Sequence, residues 1–323
     1  MPALKLRSVS IRTAMAAADI GPQHPFFPAL VVGPDYATGA IENLRRHNHR
    51  SEIGWALMPA GSSQGASIKR REKSMTMLQD KIVIVTGASS GIGRAVARLF
   101  AAEGAKIVAN ARGEEQLDAV VGAIREDGGE AIAVGGDVTA EETHIRLVEA
   151  ALKHFGGLDI AVNNAGAVNV MKPVAEITFK EWQQSLATNL TSAFLGARHQ
   201  IPAMLARDGG SLVFTSTFVG TSVGIPGMAA YGAAKAGLMG LVKGITADYG
   251  AKGIRANALL PGGVDTPAAG SKENKEWAAG LHAMKRIAQP EEIAQAALFL
   301  SGPMASFVSG AALFADGGNA AVK

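Results

Sequence analysis

Lys81-Ile82-Val83-Ile84-Val85-Thr86-Gly87-Ala88-Ser89-Ser90-Gly91-Ile92-Gly93 decides the fold. A short β-branched run ends at a glycine-rich turn, and apolar residues then recur at helical spacing from Ile92 to Glu103. The same alternation continues outward. It predicts strands at Lys106 to Ala109, Ala131 to Val134, Leu158 to Val162, Ser211 to Thr215, Arg255 to Leu260 and Ala311 to Phe314. Between them fall helices around Glu114 to Glu126, Glu141 to Phe155, Thr178 to Met204, the stretch containing Tyr231, and Pro290 to Leu300. Strand and helix repeated in this way build an α/β doubly wound parallel sheet of about seven strands. Such sheets bind their ligands beyond the carboxyl ends of the strands.

The 323 residues include no cysteine, so a disulfide framework, a thiolate nucleophile and a cysteine-bound zinc site are excluded. No apolar run is long enough for a membrane span, which reads as a soluble, cytoplasmic protein. The formal charge of +3 is unevenly spread. Residues 1–78 hold 10 Lys and Arg against 5 Asp and Glu, while the remaining 245 hold 21 against 23. The body therefore offers no electrostatic case for nucleic acid. The leader strings together Pro22, Pro25, Pro28 and Pro34 with a basic cluster around His47 and His49, and has no sustained periodicity. We read it as an irregular or disordered extension outside the functional fold, upstream of a true start at Met75 or Met77. The single catalytic domain then spans residues 79–323. No metal site is expected.

The turn Thr86-Gly87-x-x-x-Gly91-Ile92-Gly93 has a chemical reading as well. Glycines there admit positive φ and close backbone approach, and the helix that follows offers free N–H groups and the positive end of its dipole. Gly87, Ser89, Ser90, Gly91, Ile92 and Gly93 are thereby expected to cradle a pyrophosphate. The second strand ends in Asn110-Ala111-Arg112, with no acid to accept hydrogen bonds from an adenosine ribose and with one guanidinium suited to a 2′-phosphate. NADP is favoured on this ground, NAD being possible; a surface Arg112 that never reaches the ribose is the alternative. Further on, Tyr231 and Lys235 stand four apart, on one face of a helix. An ammonium near a phenol favours the phenolate, moving a group that ordinarily titrates near ~10 toward useful proton transfer.

With these pieces the chain resembles the short-chain dehydrogenase/reductase family over residues 79–323. The likeness rests on the glycine turn, Asp137-Val138, Asn163-Asn164-Ala165-Gly166, Asn189, Tyr231 with Lys235, Pro261-Gly262 with Thr266-Pro267, and Asp316-Gly317-Gly318. It implies a single Rossmann-type domain and hydride transfer between a nicotinamide and a carbonyl or secondary alcohol. Tyr231 becomes the general acid and base, and Lys235 lowers its pKa while holding the ribose. Asn189 organises a water behind Lys235, or else serves as an ordinary buried amide. Asp137 and Val138 flank the adenine, although Asp137 could instead cap the following helix. Asn163, Ala165 and Gly166 close the cleft, and Pro261, Gly262, Val264 and Thr266 lie against the nicotinamide. A homotetramer is implied too. Where the family places a serine, thirteen residues before the tyrosine, this chain has Phe218. Ser216 is the expected replacement and Thr217 the runner-up. Ser-Thr-Phe-Val-Gly resembles a 3-oxoacyl-carrier-protein reductase-like or γ-butyrolactone reductase-like subgroup. Specificity is expected from Val219 to Met228 and Asp265 to Lys285, with Trp277 and Met284 as pocket candidates and His282 as a loop residue. The other reading of the whole is a non-catalytic NADP-binding sensor of the same fold.

Overall fold

The structure is a computed structural model that describes residues 76–322. The expectations for residues 1–75, among them Met75, His47 and His49, lie outside these. Seven strands form one parallel sheet: β1 Ile82–Thr86, β2 Lys106–Ala111, β3 Glu130–Gly135, β4 Ile160–Asn163, β5 Gly210–Thr215, β6 Ile254–Pro261 and β7 Ala312–Ala315. Their order across the sheet is β3-β2-β1-β4-β5-β6-β7. The chain thus winds one way from β1 through β3 and the other way from β4 through β7, and the reversal leaves a crevice between β1 and β4.

The five inner strands bury both faces and so read as nearly continuous apolar runs, whereas the edge strands β3 and β7 keep exposed positions. Val83, Val85, Ile107 and Ala109 face one core, while Ile82, Ile84 and Val108 face the other. Helices α1 Gly91–Ala102, α2 Glu114–Glu126 and α3 Glu141–Phe155 follow the first three strands. Leu78, placed by sequence in the leader, is buried in the first core.

The long predicted helix from Thr178 to Met204 is broken. It comprises α4 Phe179–Leu186, one π-helical turn at Ala187–Thr191, and α5 Ser192–Leu205. The Asn189 amide causes the break by donating to the Ser185 carbonyl at 3.0 Å, inside the helical ladder. Helix α6, Ala229–Tyr249, carries Tyr231 and Lys235 between β5 and β6. A further helix, α7 Lys272–Gly280, was not predicted; it has no buried residue and hence no apolar stripe to betray it. Helix α8, Pro290–Ser301, precedes β7.

Candidate active site

A cleft of about 930 Å³ runs along the carboxyl edge of the sheet. The loop after β1 brings Gly87, Ser89, Ser90, Gly91 and Ile92 to it, that after β2 Arg112, that after β3 Asp137 and Val138, and that after β4 Ala165 and Gly166. Ser216 follows β5, Tyr231 and Lys235 come from α6, and Pro261, Gly262, Val264 and Thr266 follow β6. Three predicted residues, Gly93, Asn163 and Asn189, stand behind the cleft wall instead.

Asn163 is a correction. As the last residue of β4 it points to the helical side, where it exchanges two amide hydrogen bonds with Gln200, at 2.9 and 3.1 Å. Its neighbour Asn164, on the opposite face, lines the cleft and donates to the Thr86 carbonyl at 3.1 Å. The Thr86 hydroxyl accepts from the backbone of both Asn164 and Ala165 at 3.0 Å, tying the β1 and β4 ends together. Thr86 and Asn164 were missed as site residues, although strand alternation would have separated Asn163 from Asn164.

The glycine turn has the form an anionic group requires. Gly87 and Gly91 have φ of +68 and +52, and a Cβ at Gly93 would lie 2.1 Å from the Gly87 carbonyl oxygen. Helix α1 has no acid in its first turn, and the Ser90 side chain makes no capping bond, so its leading N–H groups remain available. These residues fit the pyrophosphate of a dinucleotide. At the far end, exposed Arg112 follows β2 and contributes to holding the Asp137 carboxyl below its ordinary pKa. The larger cause there is Thr139, whose backbone N–H and hydroxyl each donate to Asp137 at 2.9 Å. Asp137 therefore shapes its own turn, and the residue at the N-cap of α3 is Ala140.

The reactive groups meet where β5, α6 and the π-turn converge. The Lys235 ammonium is buried and donates to the Thr215 carbonyl at 2.7 Å, and burial lowers its pKa from 10.5 to about 8. It lies 5.9 Å from the Tyr231 ring centroid. Burial raises the Tyr231 phenol to about 12, and an interaction with the Thr217 hydroxyl offsets part of that rise. This corrects the expectation of a lowered phenol pKa: desolvation of the would-be phenolate outweighs any benefit from an ammonium placed toward the ring. The expected hydroxyl also changes. Ser216 donates to the Lys235 backbone carbonyl at 2.9 Å and so braces α6, whereas the hydroxyl next to Tyr231 is that of Thr217.

Asn189 accepts from the Ala167 N–H at 3.0 Å and donates to the Ala167 carbonyl at 2.9 Å, so its amide fixes the loop after β4. Behind Lys235 a cavity of about 10 Å³, lined by Thr86, His144, Asn189 and Thr215 among others, is of the size of about one water. His282, read from sequence as a loop residue, is buried at the cleft. Its Nε2 accepts from the Gly263 N–H at 2.9 Å, and Phe218 packs on its ring edge to face at 5.9 Å. The glycines Gly262, Gly263 and Gly317, which stand against the His282 side chain, were the available signal. Trp277 lines the cleft, but Met284 does not. Among the described residues no group of three His, Asp or Glu side chains could hold a metal ion.

A parallel sheet wound in two directions, a glycine cradle at its first helix and a Tyr-Lys pair at the switch point define a nucleotide-dependent oxidoreductase of Rossmann type. Comparison with known proteins agrees. A family described as Enoyl-(Acyl carrier protein) reductase matches residues 87–320. The 3beta-hydroxysteroid dehydrogenase 1 of Eggerthella lenta is 40% identical over 246 residues, 75% of this chain and 94% of that protein. The 2,5-dichloro-2,5-cyclohexadiene-1,4-diol dehydrogenase of Sphingobium indicum is 40% identical over 254 residues, 77% of this chain and 100% of that one. A crystal structure from Agrobacterium tumefaciens, provisionally assigned as a gluconate dehydrogenase, superposes with a TM-score of 0.72 at 33% identity, covering 77% of this chain and 99% of its own. The chain belongs to the short-chain dehydrogenase/reductase family.

A Cβ at Gly166 would fall 2.8 Å from both the Lys235 ammonium and the Asn189 Oδ1. Gly166→Ala should therefore cost about 1–3 kcal/mol in urea unfolding, as overpacking does. Adding Asn189→Ala should cost less in that background than alone, because the clash is partly relieved.

Proposed function

We propose that the protein is an NADP-preferring oxidoreductase that interconverts a secondary alcohol and its ketone, with Tyr231 as the proton-transferring group. The observation that carries this reading is the convergence of Tyr231, Thr217 and Lys235 at one point of a cleft whose other end is a glycine cradle. Two relatives whose names specify hydroxyl groups on rings support a cyclic carbinol as substrate. Arg112, in a position with no competing acid at the end of β2, supports NADP over NAD. We assign residues 79–323 as the catalytic domain. A cytoplasmic homotetramer is part of the proposal, and the exposed Phe194 on α5 and Phe314 on β7 are apolar surface that such an assembly would cover.

When bound, the nicotinamide gives or takes the hydride. Gly87 to Gly93 would hold its pyrophosphate, Arg112 a 2′-phosphate, and Lys235 the nicotinamide ribose, with Pro261, Gly262, Val264 and Thr266 against the ring. Thr217, rather than Ser216, would donate a hydrogen bond to the substrate oxygen. In the reductive direction Tyr231 passes its proton to that oxygen as the C–O⁻ charge develops. A phenol raised to about 12 carries its proton at neutral pH. Asn189 and the small cavity behind Lys235 would hold the water through which the proton is replaced. The sensor reading is less economical, since a binding protein has no need of a buried ammonium beside a phenol.

A panel of cyclic and acyclic ketones and alcohols, run with NADPH and NADH side by side, tests the reading. Turnover with preference for NADPH is expected, and NADPH binding without turnover of any carbonyl would return the sensor. Thr217→Val should lower kcat by about 100-fold, as loss of an oxyanion-type donor does, with Ser216→Ala affecting kcat far less. The pH profile should follow Lys235. Its charged form is present below about 8 and lost above, while Tyr231 keeps its proton throughout, so ketone reduction should be flat at neutral pH and fall as one proton leaves near 8. A first fall appearing only near 10 would remove Lys235 from that role.

A further inference from the structure

The strand order divides the cleft by chemistry. Everything assigned to phosphate and adenine follows β1, β2 and β3, whereas the other end is built on the loops after β4, β5 and β6. That second end carries most of the cleft's large apolar side chains, with uncharged amides and hydroxyls between them. Val168 and Met171 come from the loop after β4, Ile225 and Met228 from the loop after β5, and Trp277 from α7. The first two loops are stitched together, the Lys172 N–H donating to the Gly227 carbonyl at 3.1 Å. Met171 and Trp277 stand 66% and 56% exposed at the mouth, ready to be covered by whatever enters. The cationic side chains of the cleft among the described residues are Arg112, at the adenine end, and Lys235, whose ammonium is buried on a backbone carbonyl. A carboxylate seated among Ile225, Met228 and Trp277 would lose hydration with no cationic side chain beside it, the polar groups there being uncharged ones such as Asn169, Gln184 and Asn274, which suit a neutral oxygen.

The geometry points to a substrate that is an uncharged, apolar carbinol or ketone, with discrimination against anionic analogues of the same shape by the walls after β4, β5 and β6. This deepens the proposed function and rests on it for the reaction, but the charge preference is a property of the site whether or not turnover follows. It separates this chain's substrate from sugar acids and from hydroxy acids in general, and assigns the choice to Met171, Ile225, Met228 and Trp277.

The test compares methyl 4-hydroxycyclohexanecarboxylate with the free 4-hydroxycyclohexanecarboxylate anion, one ring with and without charge. Affinity is measured by calorimetry on the full chain saturated with NADP, and turnover by nicotinamide absorbance. The ester should bind about 100-fold or more tightly than the anion, the scale on which burial of an unpaired charge is resisted. Trp277→Arg, a change on an exposed helix, should strengthen anion binding about tenfold and narrow the ratio. Equal binding of the two, tighter binding of the anion, or no binding of either overturns the inference. If the ester binds selectively yet is not oxidised, the charge preference stands and the enzymatic reading falls.

Discussion

The structure is organised around a buried ammonium. Lys235 is enclosed at the end of the sheet, and taking a cation out of water costs several kcal/mol unless hydrogen bonds replace its hydration. One such bond is built into the fold itself: the Thr215 carbonyl at the end of β5 accepts from it at 2.7 Å. The remainder of the junction keeps that geometry. The Ser216 hydroxyl holds the Lys235 backbone, and the Asn189 amide holds the loop of Gly166 and Ala167 against the ammonium. A leucine in place of this lysine would pack without any desolvation cost. A charge is kept here nonetheless, with its pKa brought down to about 8 by burial.

The same junction explains why one helix became two. Periodicity reads Thr178 to Met204 as continuous, and a capping box of Thr178 with Glu181 does start it as expected. The amide of Asn189, however, must bond to Ser185 within the helix and to Ala167 outside it. A regular α-helical turn cannot present one side chain in both directions, so an extra residue is accommodated as a π-turn.

Much else was legible. Strands buried on both faces give unbroken apolar runs, and glycine turns at their ends place the cradle without ambiguity. Local patterns failed where the deciding contact is distant in sequence. Helix α7 buries no residue, so no apolar stripe marks Lys272 to Gly280 as helical in the sequence. Counting back from Tyr231 reaches Phe218, and spacing alone could not choose between Ser216 and Thr217, because it ignores how the chain turns. Just past the end of β5 the chain turns so that the Thr217 hydroxyl meets the phenol and the Ser216 hydroxyl the helix backbone.

Phe218 shows how that turn was built. Gly220, at φ +82, lets the loop double back so tightly that a Cβ there would stand 2.5 Å from the Gly232 carbonyl oxygen on α6. The tight turn is closed by bonds from the backbone of Ser222 and Val223 to the Phe218 carbonyl. The Phe218 side chain is thereby freed from any polar duty and directed onto the His282 ring, which in turn accepts from Gly263. An aromatic contact thus joins the loop after β5 to the loop after β6, across the end of the cleft where proton and hydride transfer would meet. The residue that cannot donate a hydrogen bond has a mechanical part instead, and the adjacent Thr217 is left to face the phenol.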